Sequence, residues 1–427
     1  MIAITRSKLY SETDSHIGVL TEWLFALFLF AGYYKADPRL SFIQTYIDIT
    51  LLFFLLSVSA FLYRGFKYSF AINIPRDFTK IMILFILFAF CLLIGLFYTK
   101  SLSYGFEKAL RFVFLTGWAF FGIAYIIHDF SSLTRFFWAI VAISTFMAVD
   151  GLLKYQGVGQ MRFLTAFGSN YIALARAGGI GMLTAVLLLL PLERRPFLRL
   201  NLLVSVTLLL FATLMAGSRG PVLALVFSIL IFFALSIRGF PVIKIDRFTL
   251  RLNIILLLIT IMLASVGQKL FTTLLYRSEI LVTEVGASAA ERLYLYQAAI
   301  DLWKESPILG IGTGQFGLAV TGQDVRLYPH NIILEIGVEN GLLGGLVLLA
   351  LIIASLRIGF SQLKSTKRLE FIVARYLLVI SFFALFNAMV SGDINDNRIL
   401  FALLGLIGII KRFRYDRTIK GHSLTKI

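Results

Sequence analysis

Residues 328–345 read YPHNIILEIGVENGLLGG, and the apolar run continues to about residue 356. An apolar stretch of that length can cross a hydrocarbon core as a helix. Yet His330 and Asn331 stand at its threshold, and Glu335 and Glu339 follow inside it. Carboxylates within a bilayer span are costly and face a bundle interior, a cavity or a cationic partner. At roughly 100° per residue, the glutamates lie about 140° and 180° around from His330 and are expected to face other helices. The stretch therefore reads as a membrane span with polar chemistry at its start.

Working outward, composition agrees. Of 427 residues, 59% are hydrophobic and 15% charged, with a mean hydropathy of +0.88. Soluble domains hold about 25% charged and about 45–50% apolar residues. The chain is expected to be an all-α polytopic membrane protein. Its separate apolar runs of about 18–22 residues signal helices and not an outer-membrane barrel. Hydropathy places about twelve spans near 17–34, 43–63, 81–98, 107–127, 133–153, 171–191, 199–216, 220–237, 252–270, 331–356, 372–391 and 397–411. The first segment, MIAITRSKLYSETDSH, lacks a small-residue cleavage site, so the first span is expected to act as its own insertion signal. A lone Cys91, in LFAFCLLIG, excludes an intramolecular disulfide and any cysteine-based metal cluster.

Twelve spans put both termini on one side. The basic residues select that side: Arg64, Lys67, Arg76 and Lys80; Arg194, Arg195 and Arg199; Arg238, Lys244, Arg247 and Arg251; Arg357, Lys364, Lys367 and Arg368; and a basic tail over 412–427. By the positive-inside rule this face is cytoplasmic. The net charge of +17 then reflects membrane topology and implies no nucleic-acid partner. The expected organisation is spans one to nine over 1–270, an outer loop over 271–329, and spans ten to twelve over 330–411.

An outer loop that long is too long for a plain connector. Within it, SAAERLYLYQAAIDLWKESP reads as an amphipathic helix near 288–306. Ser288 and Glu291 have the spacing of a capping box. Leu293, Tyr296, Ile300 and Trp303 recur at helical spacing as an apolar stripe.

The polar groups of the outer face carry the chemistry. Arg219 sits in the tight turn MAGSRGP, residues 215–221; it is either a snorkelling arginine or an anion clamp, since guanidinium binds phosphate oxygens bidentately. Arg292 lies early in the loop helix, where a solvated helix-face charge is the plain alternative. His330 is the one histidine at the mouth of the long outer loop, and imidazole titrates near neutrality. The stretch MRFLTAFGSNYIALARAGGIG, residues 161–181, adds Arg162 in an outer loop, Asn170 at a span start and Arg176 inside the span. An intramembrane arginine needs an acid, and Glu335 or Glu339 is the expected partner.

Other signals are set aside. GTGQFG, residues 312–317, matches G-x-G-x-x-G but follows no strand, and reads as a flexible loop ahead of His330. There is no phosphate-binding loop, no histidine/cysteine metal constellation and no D-x-D pair for a divalent ion. A diphosphate here would be neutralised by arginines, without metal or other cofactor.

Cations plus one base on one aqueous face suit an anionic leaving group and a hydroxyl nucleophile. The natural reaction is glycan transfer from a lipid diphosphate. The arginines would stabilise charge on the leaving oxygen. His330 would accept the acceptor's proton. No acidic nucleophile is evident on that face, so direct displacement with inversion is the simpler course. A transporter of lipid-linked sugars is the alternative from another class, but no repeat of the transporter type is evident.

The span pattern, the GSRGP turn, ERLYLYQAAIDLWKESPILGIGTGQF and PHNIILEIGVENGLLGG resemble the O-antigen ligase and polymerase family, most strongly over about residues 160–345. The resemblance implies a polytopic bacterial inner-membrane enzyme with a large periplasmic loop. It implies an undecaprenyl-diphosphate-linked glycan donor and no metal. It also implies that Arg219, Arg292 and His330 are the functional arginines and histidine. A ligase would hand the glycan to a sugar hydroxyl of lipid A–core. A polymerase would hand it to another lipid-linked repeat; another polysaccharide or a protein hydroxyl is a further possible acceptor. The arrangement favours a ligase.

Overall fold

A computed structural model of the chain describes residues 12–68, 74–154, 163–236 and 285–413; these form helices and turns, with no strand among them. In lipid, every backbone N–H and C=O must find a partner inside the chain, which a helix provides for each apolar run. The helices that organise the fold are α1 (Glu12–Tyr34), α2 (Ile49–Tyr68), α3 (Arg76–Ile94), α4 (Leu102–Ile126), α5 (Phe130–Leu153), α6 (Tyr171–Leu192), α7 (Pro196–Met215), α8 (Arg219–Ser236), α9 (Val285–Glu305), α10 (Phe316–Thr321), α11 (Ile332–Gln362), α12 (Arg368–Val390) and α13 (Arg398–Gly408). Among the described residues, ten helices are long and apolar enough to cross a membrane. The expected span at 252–270 lies outside the described residues. The last expected span is short: α13 has 11 residues and ends in a 3-10 turn, Ile410–Phe413.

The most enclosed helix is α6, with 94% of its apolar window buried. Its RAGGIG sequence explains how it gets there. A Cβ at Gly178 would overlap Thr213, at Gly179 the Phe383 ring, and at Gly181 the Ser144 side chain. Small residues let membrane helices approach backbone to backbone. A second core is aromatic: the Phe85 ring stacks on Phe120 at 4.3 Å and on Phe112 at 5.4 Å, with Phe401 edge-on at 5.9 Å.

The connections sort into two ends. At one end Arg64 meets His128 at 3.2 Å and Lys411 meets Asp77 at 2.5 Å. At the other, the Tyr98 hydroxyl donates to the Leu309 carbonyl at 2.6 Å, and Lys100 N–H to Gln315 Oε1 at 2.7 Å. There too Arg39 pairs with Asp150 at 2.9 Å, and Arg326 with Asp393 at 2.9 Å. These loops alternate between ends as the span order requires.

Helix α11 is broken. Gly341 has φ +63° and ψ −164°, so the helix divides into an outer and an inner half. The break is filled by the turn at 307–315. Leu342 N–H donates to Pro307 O at 2.8 Å and Leu343 N–H to Ile308 O at 3.2 Å; in return Ile311 and Gly312 donate to the carbonyls of Val338 and Glu339 at 2.8 and 2.9 Å. The turn re-enters the bundle, where Thr313 is fully buried and its hydroxyl donates to Leu92 O at 2.8 Å. The reading of GTGQFG as a flexible loop is thus corrected. Gly312 and Gly314 have φ of +112° and +76°, and a Cβ on either would press on the backbone of Thr99 or Gly105 at 2.6 and 2.5 Å. The glycines serve close packing at positive φ.

Candidate functional site

The outer half of α11 opens with Asn331 as N-cap. Its side chain accepts from the N–H groups of Ile333 and Leu334 at 3.0 and 3.2 Å, the usual work of asparagine at a helix start. His330 precedes the cap with φ +55°, a left-handed conformation uncommon outside glycine. It is therefore off the helix, and the helical-wheel angle between it and the glutamates does not apply. The glutamates do point inward, for a different reason.

That reason is Lys108 of α4. Its ammonium lies 2.6 Å from Glu335 Oε1 and 2.7 Å from Glu339 Oε2, with all three side chains at or below 1% exposure. Glu339 Oε2 also accepts the Gly314 N–H at 2.9 Å, and Glu335 Oε1 the Ile394 N–H at 3.2 Å. One cluster thus ties together α4, the re-entrant turn, the outer half of α11 and the 391–397 loop. Arg176 is not the partner of these acids, contrary to the sequence expectation. Its guanidinium donates to the carbonyls of Asn387 and Ser391, both at 2.7 Å. It caps the end of α12, where free carbonyls and the helix dipole favour a cation. Asn170 likewise caps α6, accepting Ala173 N–H at 2.8 Å. Arg162 lies outside the described residues.

Helix α9 starts at Val285, three residues before Ser288, so Ser288 lies within the helix and is not its cap. Nothing in Val285–Gly286–Ala287 stops a helix, and the first turn takes them in. The buried face is also rotated from the expected stripe. Leu295 and Ala299 are buried with Phe316 and Val338, flanked by Leu302 and Trp303, while Leu293 is 67% exposed. Trp303 lies against Gly337, where a Cβ would meet its ring at 3.0 Å, and its indole N–H donates to Pro307 O at 3.1 Å. This packing seats α9 on α11 and brings Arg292 and Glu291 within electrostatic range of His330.

His330 is half-buried, and its Nδ1 is buried without a partner. Burial, followed by the positive charge of Arg292, holds the imidazole below its usual range, against a smaller opposing pull from Glu291. The ring is therefore neutral at neutral pH and able to accept a proton. Tyr328 meets it edge-on with centroids 4.7 Å apart. Burial, assisted by Asp396, pushes the Tyr328 phenol up to about 12. Arg326 lies over the Tyr328 ring, 5.4 Å from its centroid, and pairs with Asp393 at 2.9 Å and Asp396 at 2.7 Å. Tyr104 donates to the same Asp393 oxygen at 3.0 Å.

Arg219 is the exposed first residue of α8, after Gly217 with φ +64°. Its neighbour Gly220 packs on Val390, where a Cβ would lie 2.9 Å from Cγ2, so Arg219 sits at the end of the bundle that carries the 391–397 loop. Arg219 thus shares an end of the bundle with His330, while Arg292 is the arginine whose charge bears on the imidazole. Sequence reasoning did not single out Lys108, Arg326, Tyr328, Asp393 or Asp396. The available signals were the charges of DVRLYPH and SGDINDNR flanking apolar spans.

A family model described as O-antigen ligase matches residues 204–349. The matched window runs from α7 into α11 and contains Arg219, Arg292 and His330. No curated protein matches the chain.

Proposed function

We propose, from a chain whose residues 204–349 belong to the O-antigen ligase family, that it transfers a glycan from undecaprenyl diphosphate to a sugar hydroxyl of lipid A–core. The basic loops at the opposite end support a reading in which the His330 end faces the periplasm from a bacterial inner membrane. The acceptor hydroxyl gives its proton to His330 as its oxygen bonds to the anomeric carbon. The bond from that carbon to the diphosphate breaks with inversion, and undecaprenyl diphosphate leaves. Arg219 and Arg292 hold the diphosphate and the charge that develops on it.

The observation that supports this reading is the placing of His330, off the helix at φ +55° at the end of the bundle that also carries Arg219, with the charge of Arg292 bearing on its imidazole. The broken α11 would also suit a transporter, whose sites form at discontinuous helices. Here, however, the break is closed by the chain's own 307–315 turn, which satisfies the backbone groups it frees.

The test is purified protein in vesicles with lipid-linked glycan. Lipid A–core is supplied in one tube and a second lipid-linked repeat in another, each with and without chelator. Product only in the first tube, undiminished by chelator, is expected. Elongated lipid-linked glycan in the second makes the protein a polymerase, and loss in chelator defeats a clamp built of arginines alone.

A further inference from the structure

Arg326 differs from the other arginines at this end. Its Nε and one terminal nitrogen already serve two carboxylates, Asp393 and Asp396. A guanidinium neutralised twice is poorly suited to a diphosphate. Its guanidinium carbon instead lies over the Tyr328 ring, which meets the His330 ring at a steep angle of 66°. The far anchors are themselves held: Asp393 is 2% exposed, and it forms a reciprocal capping box with Asp396 on the 3-10 turn Ile394–Asn397. At the near end, His330 keeps a left-handed φ of +55°. A non-glycine residue stays there only where its surroundings over-determine it. Pro329 contributes by restricting Tyr328 before it and offering no N–H of its own.

We propose that Tyr328 and Arg326, anchored by Asp393 and Asp396, are positioning residues that set the orientation and environment of the His330 imidazole. The last outer loop, 391–397, thereby belongs to the active centre although it lies outside the matched family window. For catalysis this rests on the reading of His330 as base; for the imidazole itself it does not. The charged groups that bear on His330 are Arg292 and Glu291 from α9, with Arg326, Asp393 and Asp396 ranged behind Tyr328.

The test uses the full-length protein and two readouts. The first is carbethoxylation of His330 by diethyl pyrocarbonate across pH without substrate, followed by peptide mass spectrometry; the reagent attacks neutral imidazole. The second is kcat and donor KM in the vesicle assay. Tyr328→Phe keeps the ring and should match wild type in both. Tyr328→Leu should label faster, with its pH midpoint moved up toward the ordinary histidine value. Its kcat should fall roughly tenfold or more while KM changes by less than about twofold, since small misplacements of a reacting group cost rate. Arg326→Lys, which replaces a planar five-donor fork with a compact point charge on a shorter reach, should change in the same direction. Wild-type labelling and kcat in Tyr328→Leu overturn the proposal, as does Tyr328→Phe being as impaired as Tyr328→Leu. Retained transfer in His330→Ala defeats the base reading alone, because the labelling arm uses no substrate.

Discussion

Lys108 and Glu339 meet at 2.7 Å between α4 and the outer half of α11, both essentially without solvent exposure. The same ammonium holds Glu335 at 2.6 Å. Removing one partner of a buried ion pair leaves uncompensated charge, which costs about 3–5 kcal/mol. Lys108→Met should therefore lower the thermal unfolding temperature in detergent sharply. Adding Glu335→Gln and Glu339→Gln should restore much of the loss. No recovery in the triple variant would mean that Lys108 matters through packing and not through charge.

His330→Ala should abolish glycan transfer, by roughly 10²-fold or more for loss of a general base. Its elution profile and melting curve should match wild type, because the helix start rests on Asn331 and not on the imidazole. Undiminished product removes His330 from the chemistry.

Activity should depend on pH in a defined direction. The base must be neutral, and its folded-state value lies below the usual 6.5 because of burial and Arg292. The rate should hold across neutral pH and fall as pH drops through that lowered value. Arg292→Gln removes a cation and should move the acid limb up; Glu291→Gln removes an opposing anion and should move it down. Identical limbs in all three proteins would sever Arg292 and Glu291 from His330.

Arg219→Lys should raise the donor KM or stop transfer, since a point charge does not reproduce a planar fork on a diphosphate. Wild-type kinetics in the lysine variant would reduce Arg219 to an interfacial arginine whose charge alone matters.

Two glycines of α11 should behave oppositely. At Gly341, φ is +63° and a Cβ would overlap the Ile308 carbonyl, so Gly341→Ala should destabilise or misfold the protein. At Gly345 a Cβ meets nothing within 4 Å, so Gly345→Ala should be neutral or gain up to about 1 kcal/mol of helix propensity. Comparable melting of both variants would mean that the break is not set by Gly341.

Much of the bundle was readable from the chain because a long apolar run in lipid has few ways to satisfy its backbone. Asn170 and Asn331 stood out in the sequence only as polar residues at span starts; the structure makes them the caps of α6 and α11. The proposed trio of Arg219, Arg292 and His330 was legible as polar residues outside the apolar runs, and the family match covers that window. Misreadings arose where a pairing depends on distant segments. Glu335 was expected to meet Arg176, but the nearer cation comes from α4, more than two hundred residues earlier. The glycine-rich turn looked flexible because glycine by itself signals freedom. In context the same lack of a side chain allows backbone to press on backbone.

By itself, then, the sequence determined the membrane class, most of the span order and the residues able to do acid–base and phosphate chemistry, because hydrophobic length and residue type are local properties. Tertiary structure alone decided that α11 breaks at Gly341 and that Lys108 bridges its two glutamates. It alone paired Asp393 and Asp396 with Arg326, and set Arg326 over the Tyr328 ring that meets His330. In a medium without water, each buried charge and freed backbone group must take its partner from whichever segment the packing brings within about 3 Å. That proximity is a property of the assembled bundle and is not encoded by any single stretch.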